Sequence, residues 1–449
     1  MDIANRKITI LGAVRSGIGA AKLVKKLGGI HFVSDFSPKE KLTAQIAVLE
    51  AENIAYECGM HSERAFDCEL IVTSPGVPSD SMPIVEAGKR NIKVVSEIEF
   101  ASWFCKGNIV AITGTNGKTT TTALCAHVLN ECNIKAYAAG NIGFAFSEIA
   151  LDVAESEWVA LEISSFQLDF IEKFNPRFSM ILNITPDHLD RYNNNFDEYI
   201  DAKLRIAENQ ANGSYLITNA DDKNTPLDRI TCSVTKYQFS TNKKVDDGAY
   251  SESGKLYFSR SGEPEYICGA DDLSIKGEHN IANSLAVLIV AKKIGIPNEN
   301  IKNAFSNFPG VEHRIEFVRE LNGVKYYNDS KATNVDSVWY ALRTFSQPVF
   351  LILGGKDKGN DYNLIKEPAQ KVVKKIYAIG SSAQKVYDFF SPFIEVEIIS
   401  TLESCVVKGS KEAKAGEIIL LSPACASFDM FDNFEHRGKV FKQAVMSLK

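Results

Sequence analysis

Along this chain, short apolar runs alternate with stretches whose apolar residues recur at helical spacing. Lys7–Gly12 is a short β run, Ser16–Leu27 has helical periodicity, and Ile30–Asp35 is a second strand. Glu69–Thr73 and Ile92–Val95 are two more strands, each after a helical or turn-rich stretch. A second block starts near Asn108, with strands predicted at 109–113, 158–163, 179–184 and 214–218. It continues through a hairpin-like β segment around 236–275 into a strong helix over Asn280–Ile294. A third block begins near Pro309-Gly310 and has strands around 325–328, 349–353, 375–380 and 417–421. Such alternation implies parallel sheets with helices on their faces. The simplest partition is three α/β domains in series, spanning 1–106, 107–309 and 310–449.

Composition narrows the class. A chain of 449 residues, 45% hydrophobic and 24% charged, reads as a soluble globular protein with room for several cores. Its net charge of −6, with no polybasic tract, argues against nucleic acid or an anionic membrane as the main partner. The nine cysteines are scattered without a C-x-x-C pair, a distribution expected of reduced thiols in a cytosol. The N-terminal Met-Asp-Ile-Ala-Asn-Arg-Lys leads into a strand rather than an apolar leader. No apolar run approaches the roughly 18 residues of a membrane span. A cytoplasmic protein without membrane insertion is expected.

The sharpest chemical signal lies at 113–120, Thr-Gly-Thr-Asn-Gly-Lys-Thr-Thr, directly after the apolar run Ile109–Ile112. A strand entering a Gly-Lys-Thr turn before a helix is a phosphate cradle. Glycines let backbone N–H groups converge on a polyphosphate, Lys118 supplies a cation, and the Thr119 hydroxyl suits Mg²⁺. The general pattern wants its first glycine further upstream of Gly117 than Gly114, so this is a variant P-loop. The middle block is therefore expected to be P-loop ATPase-like, with Rossmann-like domains on either side. In the first block, Gly12-Ala-Val-Arg-Ser-Gly17 occupies a βα turn and Asp35 ends the next strand, as in a dinucleotide fingerprint. Val14 replaces the glycine that a pyrophosphate must approach, which weakens an NAD reading. A helix N-terminus facing a diphosphate fits better, with Ser74-Pro75-Gly76 at the same sheet edge. In an open parallel sheet, strand C-terminal ends face one crevice. Glu162, and His188 in Asn183-Ile-Thr-Pro-Asp-His-Leu-Asp190-Arg191, are thereby predicted to converge on Lys118 and Thr119 as Mg²⁺ ligands.

Gly-Thr-Asn-Gly-Lys-Thr-Thr, Glu162-Ile-Ser-Ser-Phe-Gln, Asn-Ile-Thr-Pro-Asp-His-Leu-Asp-Arg, Lys203-Leu-Arg205, His279-Asn280-x-x-Asn283 and His313-Arg314 occur in one order. In that order the chain resembles the Mur ligases, the ATP-dependent amino-acid-adding enzymes of peptidoglycan synthesis. Three C-terminal runs resemble the D-glutamate-adding branch: Tyr327-Asn-Asp329-Ser-Lys331-Ala-Thr333-Asn334, Gly354-Gly-Lys-Asp-Lys358, and Leu421-Ser-Pro-Ala-Cys-Ala-Ser427-Phe-Asp429 on to Phe434 and Arg437-Gly438. The resemblance implies residue roles. Gly114, Thr115, Asn116, Gly117, Lys118, Thr119 and Thr120 would hold ATP phosphates, Asn280 and Asn283 would face adenine, and Arg314 and Asp329 would join from the C-terminal domain. Thr119, Glu162, His188 and Lys203 would hold Mg²⁺, in two sites, with Lys203 carbamylated; read by itself, Lys203 is a solvated helix lysine. Arg15, Ser16, Asp35, Ser74 and Asn141 would contact the UDP-linked acceptor, UDP-N-acetylmuramoyl-L-alanine. Thr333, Lys358, Ser427 and Phe434 would form the D-glutamate pocket, although Ser427 alone reads equally as a helix cap. A monomer is expected, with Lys118, His188 and Lys203 carrying catalysis through an acyl phosphate.

Other readings predict other features. A different amide ligase of the same superfamily would lack the 329–334 run. A P-loop switch or motor would be expected to have a polymer-binding surface, and an oxidoreductase would need the missing glycine.

Overall fold

The computed structural model describes residues 2–357 and 359–449 and contains three sheets. The first is wholly parallel, in the spatial order Ala55–Cys58, Ile30–Asp35, Lys7–Leu11, Leu70–Thr73, Lys93–Ser96. The second has nine strands. Its parallel heart runs Tyr215–Asn219, Phe178–Ile181, Asn108–Thr113, Trp158–Glu162, Ala136–Gly140. The third sheet orders Glu316–Leu321, Val324–Asn328, Ile418–Leu421, Val349–Gly354, Val373–Ile379, Glu395–Ile398, and only its first pair is antiparallel. The mixed α/β, three-domain architecture is thus the one expected.

Central strands are buried on both faces, which is why they read as continuous apolar runs: every residue of Trp158–Glu162 and Val349–Gly354 is buried. The expected hairpin-like segment at 236–275 is present over 248–269. Thr235–Ser240 extends the parallel sheet, and only Gly248–Glu252, Lys255–Arg260 and Glu263–Gly269 form an antiparallel meander beyond it. Four strands give no clear apolar signal: Ala55–Cys58, Ala136–Gly140, Glu316–Leu321 and Glu395–Ile398. Each lies at a sheet edge, where burial is one-sided and polar or small residues suffice.

By its contacts the chain divides into two compact units. One holds the chain up to Ser274 together with Asn280–Phe308, and the other Ile275–His279 with Pro309–Lys449. The first two sheets share the first unit, and a common core runs from Ile8 and Val33 to Leu161 and Ile181. Among the described residues no helix is long and apolar enough to cross a membrane.

Candidate active site

In the first unit, strand Asn108–Thr113 ends at Gly114 with φ +153°, and Gly117 takes φ +85° to start helix Lys118–Glu131. Glycine is required at Gly117 twice over. Its φ is left-handed, and a Cβ there would lie 2.5 Å from Asn283 Oδ1. The loop is clamped by the chain after Phe178–Ile181. Thr115 N and Asn116 N donate to Asn183 O and Asn183 Oδ1, both at 2.8 Å, and Asn183 Nδ2 returns a bond to Asn116 O at 3.0 Å. Thr115 Oγ1 donates to Thr185 O at 2.9 Å. Thr119 and Thr120 are buried at the helix start.

Two lysines meet at one carbonyl. Lys118 Nζ donates to Gly114 O and Thr115 O, both at 2.8 Å, and Lys203 Nζ donates to the same Gly114 O at 2.9 Å. Lys203 is 1% exposed, on helix Phe196–Leu204, and its ammonium lies 4.6 Å from the centre of the Tyr199 ring. Burial, then the neighbouring Lys118 charge, push its pKa well below the ordinary lysine value, with Asp187 and Asp169 only partly opposing. The amine is thereby favoured in its uncharged, nucleophilic form. The sequence-based picture of a solvated lysine does not hold.

Glu162 ends the strand beside the phosphate loop, in register with Ile112. Its Oε1 accepts from Asn141 Nδ2 at 3.3 Å, while Oε2 is buried with no hydrogen-bond partner among the described residues. A buried carboxylate oxygen left this way suits a hard cation, and Glu162 with the Thr119 hydroxyl offers oxygen donors that fit Mg²⁺. His188 adopts left-handed φ +53°, is braced through its backbone N–H by Asp187 Oδ1 at 3.0 Å, and sets its ring edge on Phe166 at 5.4 Å. Asn283 Nδ2 bonds Asn280 Oδ1 at 3.2 Å, and both side chains are buried.

At the first sheet's C-terminal edge, helix Arg15–Lys26 begins after Val14. Arg15 reaches across to the second sheet, donating to Gly143 O at 3.0 Å and Gly140 O at 3.2 Å, on either side of Asn141. Ser16 is half-buried at that helix start. Ser74 Oγ is buried, has no partner among the described residues, and lies 2.9 Å from where a Cβ on Gly12 would sit. Asp35 braces the turn: Oδ2 accepts from Ala13 N and Oδ1 from Ser37 N, both at 2.7 Å.

In the second unit, Asp329 is 1% exposed and accepts from Ile315 N at 3.2 Å and Ser422 Oγ at 2.7 Å. Burial pushes its carboxyl up to about 6, against the pull of Arg314. Lys331 Nζ lies 4.7 Å from the centre of the Phe434 ring, and Thr333 N donates to Lys331 O at 2.9 Å. Ser427 is buried, and its carbonyl accepts from Met430 N and Phe431 N. The cap of helix Phe434–Ser447 is Asn433, not Ser427. Lys358 lies outside the described residues. Glu312, His313 and Glu316 bring their ligand atoms within 4.8 Å of one another, but Lys442 Nζ stands 3.0 Å from Glu312 Oε1, so an ammonium already serves as their cation.

Sequence reading missed Asn183 as the clamp of the phosphate loop and Tyr199 as the lid on Lys203. The spacing Tyr199, Lys203 on one helix face was the available signal for the latter.

Comparison with known proteins gives three family matches: the MurD N-terminal domain over residues 7–82, the Mur ligase middle domain over 112–291, and the Mur ligase, glutamate ligase domain over 313–425. The UDP-N-acetylmuramoylalanine--D-glutamate ligase of Chloroherpeton thalassium is 43% identical over 464 residues, covering 100% of this chain and 99% of its own. The same-named enzyme of Salinibacter ruber is 40% identical, with 100% and 99% covered. Among solved structures, the UDP-N-acetylmuramate-alanine ligase MurC of Thermotoga maritima superposes with a TM-score of 0.64 at 19% identity, covering 99% of this chain and 100% of that one. MurF of Acinetobacter baumannii gives 0.62 at 15% identity, with 93% and 91% covered. At such identities these two speak for the fold alone.

Proposed function

This chain belongs to the Mur ligase family, and from that premise we propose that it is an ATP-dependent ligase that joins D-glutamate to UDP-N-acetylmuramoyl-L-alanine, a step of peptidoglycan precursor synthesis. Full-length relatives at 40–43% identity carry that activity in their names. The observations that carry the site reading are the pair of lysines on Gly114 O and the orphaned Glu162 oxygen at the end of the neighbouring strand.

A carboxylate is a poor acyl donor because its leaving group would be oxide. In the reaction proposed, the L-alanyl carboxylate attacks the γ-phosphorus of ATP, releasing ADP and forming an acyl phosphate. The D-glutamate amine then attacks the acyl carbon, the amine sheds a proton, and inorganic phosphate leaves as the amide forms. The chain's part is positioning and charge neutralisation. Backbone N–H groups of 114–120 cradle the phosphates, and Lys118 swings from its loop carbonyls to the γ-phosphate. Asn280 and Asn283 are assigned to the adenine side of ATP, and Arg314 and Asp329 are also assigned to ATP. Glu162, His188, Thr119 and a carbamylated Lys203 would hold Mg²⁺, which when bound neutralises polyphosphate charge. Only an uncharged amine adds CO₂, so the burial of Lys203 supports the carbamate. Arg15, Ser16, Asp35, Ser74 and Asn141 are assigned to the UDP-linked acceptor, with the Ser74 hydroxyl and the start of helix Arg15–Lys26 set for a diphosphate. Thr333, Lys358, Ser427 and Phe434 are assigned to D-glutamate.

The domain boundaries proposed are 1–106, 107–309 and 310–449. The nine unpaired cysteines support a reducing cytoplasm, and since one chain supplies every assigned residue, a monomer suffices. The deciding experiment incubates purified protein with UDP-N-acetylmuramoyl-L-alanine, ATP, Mg²⁺ and D-glutamate, and detects the product by mass. ATP consumption without a new amide, across a panel of amino acids, would overturn the proposal.

A further inference from the structure

The strap that holds the phosphate loop is itself held, by a segment with no role assigned so far. Strand Tyr215–Asn219 runs parallel to Phe178–Ile181, with Thr218 beside Ile181, so the chain leaving each emerges at the same sheet edge. The chain leaving Phe178–Ile181 is the strap. At one end Asn183 grips Thr115 and Asn116. At the other, Thr185 N donates to Thr115 Oγ1 and that hydroxyl reaches Thr185 O, both at 2.9 Å. Ile184 lies between them, fully buried, and its backbone groups both go the other way. Ile184 N donates to Asp222 Oδ2 at 2.9 Å, and Asn224 Nδ2 donates to Ile184 O at 2.8 Å. Just before it, Asn219 Nδ2 holds Leu182 O at 3.2 Å.

The turn after strand Tyr215–Asn219 would need less for its own sake. Asp222 Oδ1 accepts from Asn224 N at 3.1 Å, an ordinary Asx turn, and one oxygen suffices for that. The second oxygen takes Ile184 N, 38 residues back, together with Thr225 Oγ1 at 2.7 Å. An ionised carboxylate accepts all of these donors at once, because it offers lone pairs at both oxygens and no hydrogen to turn a donor away. The neighbouring Asp221 ties the same turn to the end of strand Thr235–Ser240, accepting from Ser240 Oγ and Thr241 N, both at 2.7 Å. Segment 219–225 is thus fastened outward to the sheet and inward to the strap. A loop fixed before its ligand arrives spends less of the binding energy on being ordered.

We propose that Asp222 and Asn224 are positioning residues for nucleotide binding. By holding Ile184 at both backbone groups they fix the strap, and through Thr115 and Asn116 they set how Gly117 and Lys118 meet the polyphosphate. Neither residue touches the nucleotide itself. The inference rests on the phosphate-loop reading above, and deepens it from the residues that line the nucleotide site to those that keep it in shape.

The test titrates full-length wild type, Asp222→Ala, Asp222→Asn and Asn224→Ala calorimetrically with adenylyl imidodiphosphate and Mg²⁺, and separately with UDP-N-acetylmuramoyl-L-alanine. Each alanine variant should bind the ATP analogue roughly tenfold more weakly, the upper range for one net hydrogen bond, with acceptor affinity unchanged. Asp222→Asn keeps an oxygen for Ile184 N–H and should bind the analogue more tightly than Asp222→Ala. Amide exchange across 113–120 should quicken in the alanine variants. A merely structural loss would shrink the folded fraction, lowering kcat and leaving KM for ATP where it was; here KM for ATP should rise. Melting curves establish which variants are folded. Wild-type affinity for the analogue in a folded alanine variant overturns the positioning role while leaving the phosphate loop standing. So does rapid exchange of the Ile184 amide in unliganded wild type, a measurement that needs no variant. Failure of wild-type protein to bind the analogue takes down both readings.

Discussion

Glu99 offers a perturbation whose size can be worked from single hydrogen bonds. It lies on helix Glu97–Ser102, next to the first sheet, and is 0% exposed. Oε1 accepts from Trp103 Nε1 at 2.7 Å and Lys173 N at 2.9 Å, and Oε2 from Glu172 N at 3.0 Å and Phe174 N at 2.8 Å. Three of these donors belong to the connection entering strand Phe178–Ile181, so one carboxylate clasps the first sheet's last helix to the second sheet. Glu99→Gln preserves shape but turns one oxygen into an NH₂ group. Whichever way the amide is placed, two N–H donors then face an NH₂. An orphaned buried donor costs about 1–3 kcal/mol, so the loss is about 2–6 kcal/mol. For a unit of this size that lowers the melting temperature by roughly 5–20 °C. Because the chain forms two compact units, calorimetry should show the shift in the transition of the first, with the second as internal control. KM for the acceptor should rise while affinity for an ATP analogue changes little, since the phosphate loop is clamped independently by Asn183. A Glu99→Gln melt within about 2 °C of wild type would refute the clasp, because even one orphaned donor exceeds that.

Gly117→Ala places a methyl group against Asn283 at a left-handed φ, a strain of about 1–2 kcal/mol before Asn283 moves; KM for ATP should rise several-fold, measured by initial rates. Lys118→Ala should lose at least about a hundredfold in kcat with an unchanged melting curve, and normal turnover would remove the phosphate-loop assignment. Lys203→Ala should be inactive and partly restored by short-chain carboxylates that replace the carbamate, whereas full activity without them would exclude that role. Asp329 holds a proton in the folded chain between its ordinary 3.8 and about 6, a proton the unfolded chain has released. Its contribution to stability therefore falls as pH rises through that window, by about 3 kcal/mol at 1.36 kcal/mol per unit over 2.2 units. Asp329→Asn should flatten that slope in urea titrations between pH 4 and 7.

What was legible in the chain depended on how far apart in sequence the cause and its partner lie. The strand–loop–helix around Gly114–Lys118 was readable because strand, glycines, Lys118 and helix are contiguous, and each part of the signal is local. Parallel sheets were readable because strands buried on both faces must be apolar throughout. Lys203 marks the boundary. It shares a face with Tyr199 and Ile200, both buried, so the helical period alone places it inward; its charge argued outward, and the polar residue type outweighed the spacing. Only the resemblance corrected that, and the physical reason is the carbonyl of Gly114, 89 residues away, to which the amine donates. Asn183 clamps Asn116 across 67 residues, and Glu99 takes its backbone donors 73 to 75 residues on. Neither carries any local pattern, since an asparagine after a strand and a glutamate in a short helix ordinarily belong to solvent. A buried polar side chain is specified by the backbone groups that some other segment leaves unsatisfied. Its role stays hidden until the topology shows which segments meet, and for the same reason Asp35, visible from the first as an acidic strand end, proves to brace a turn with both oxygens.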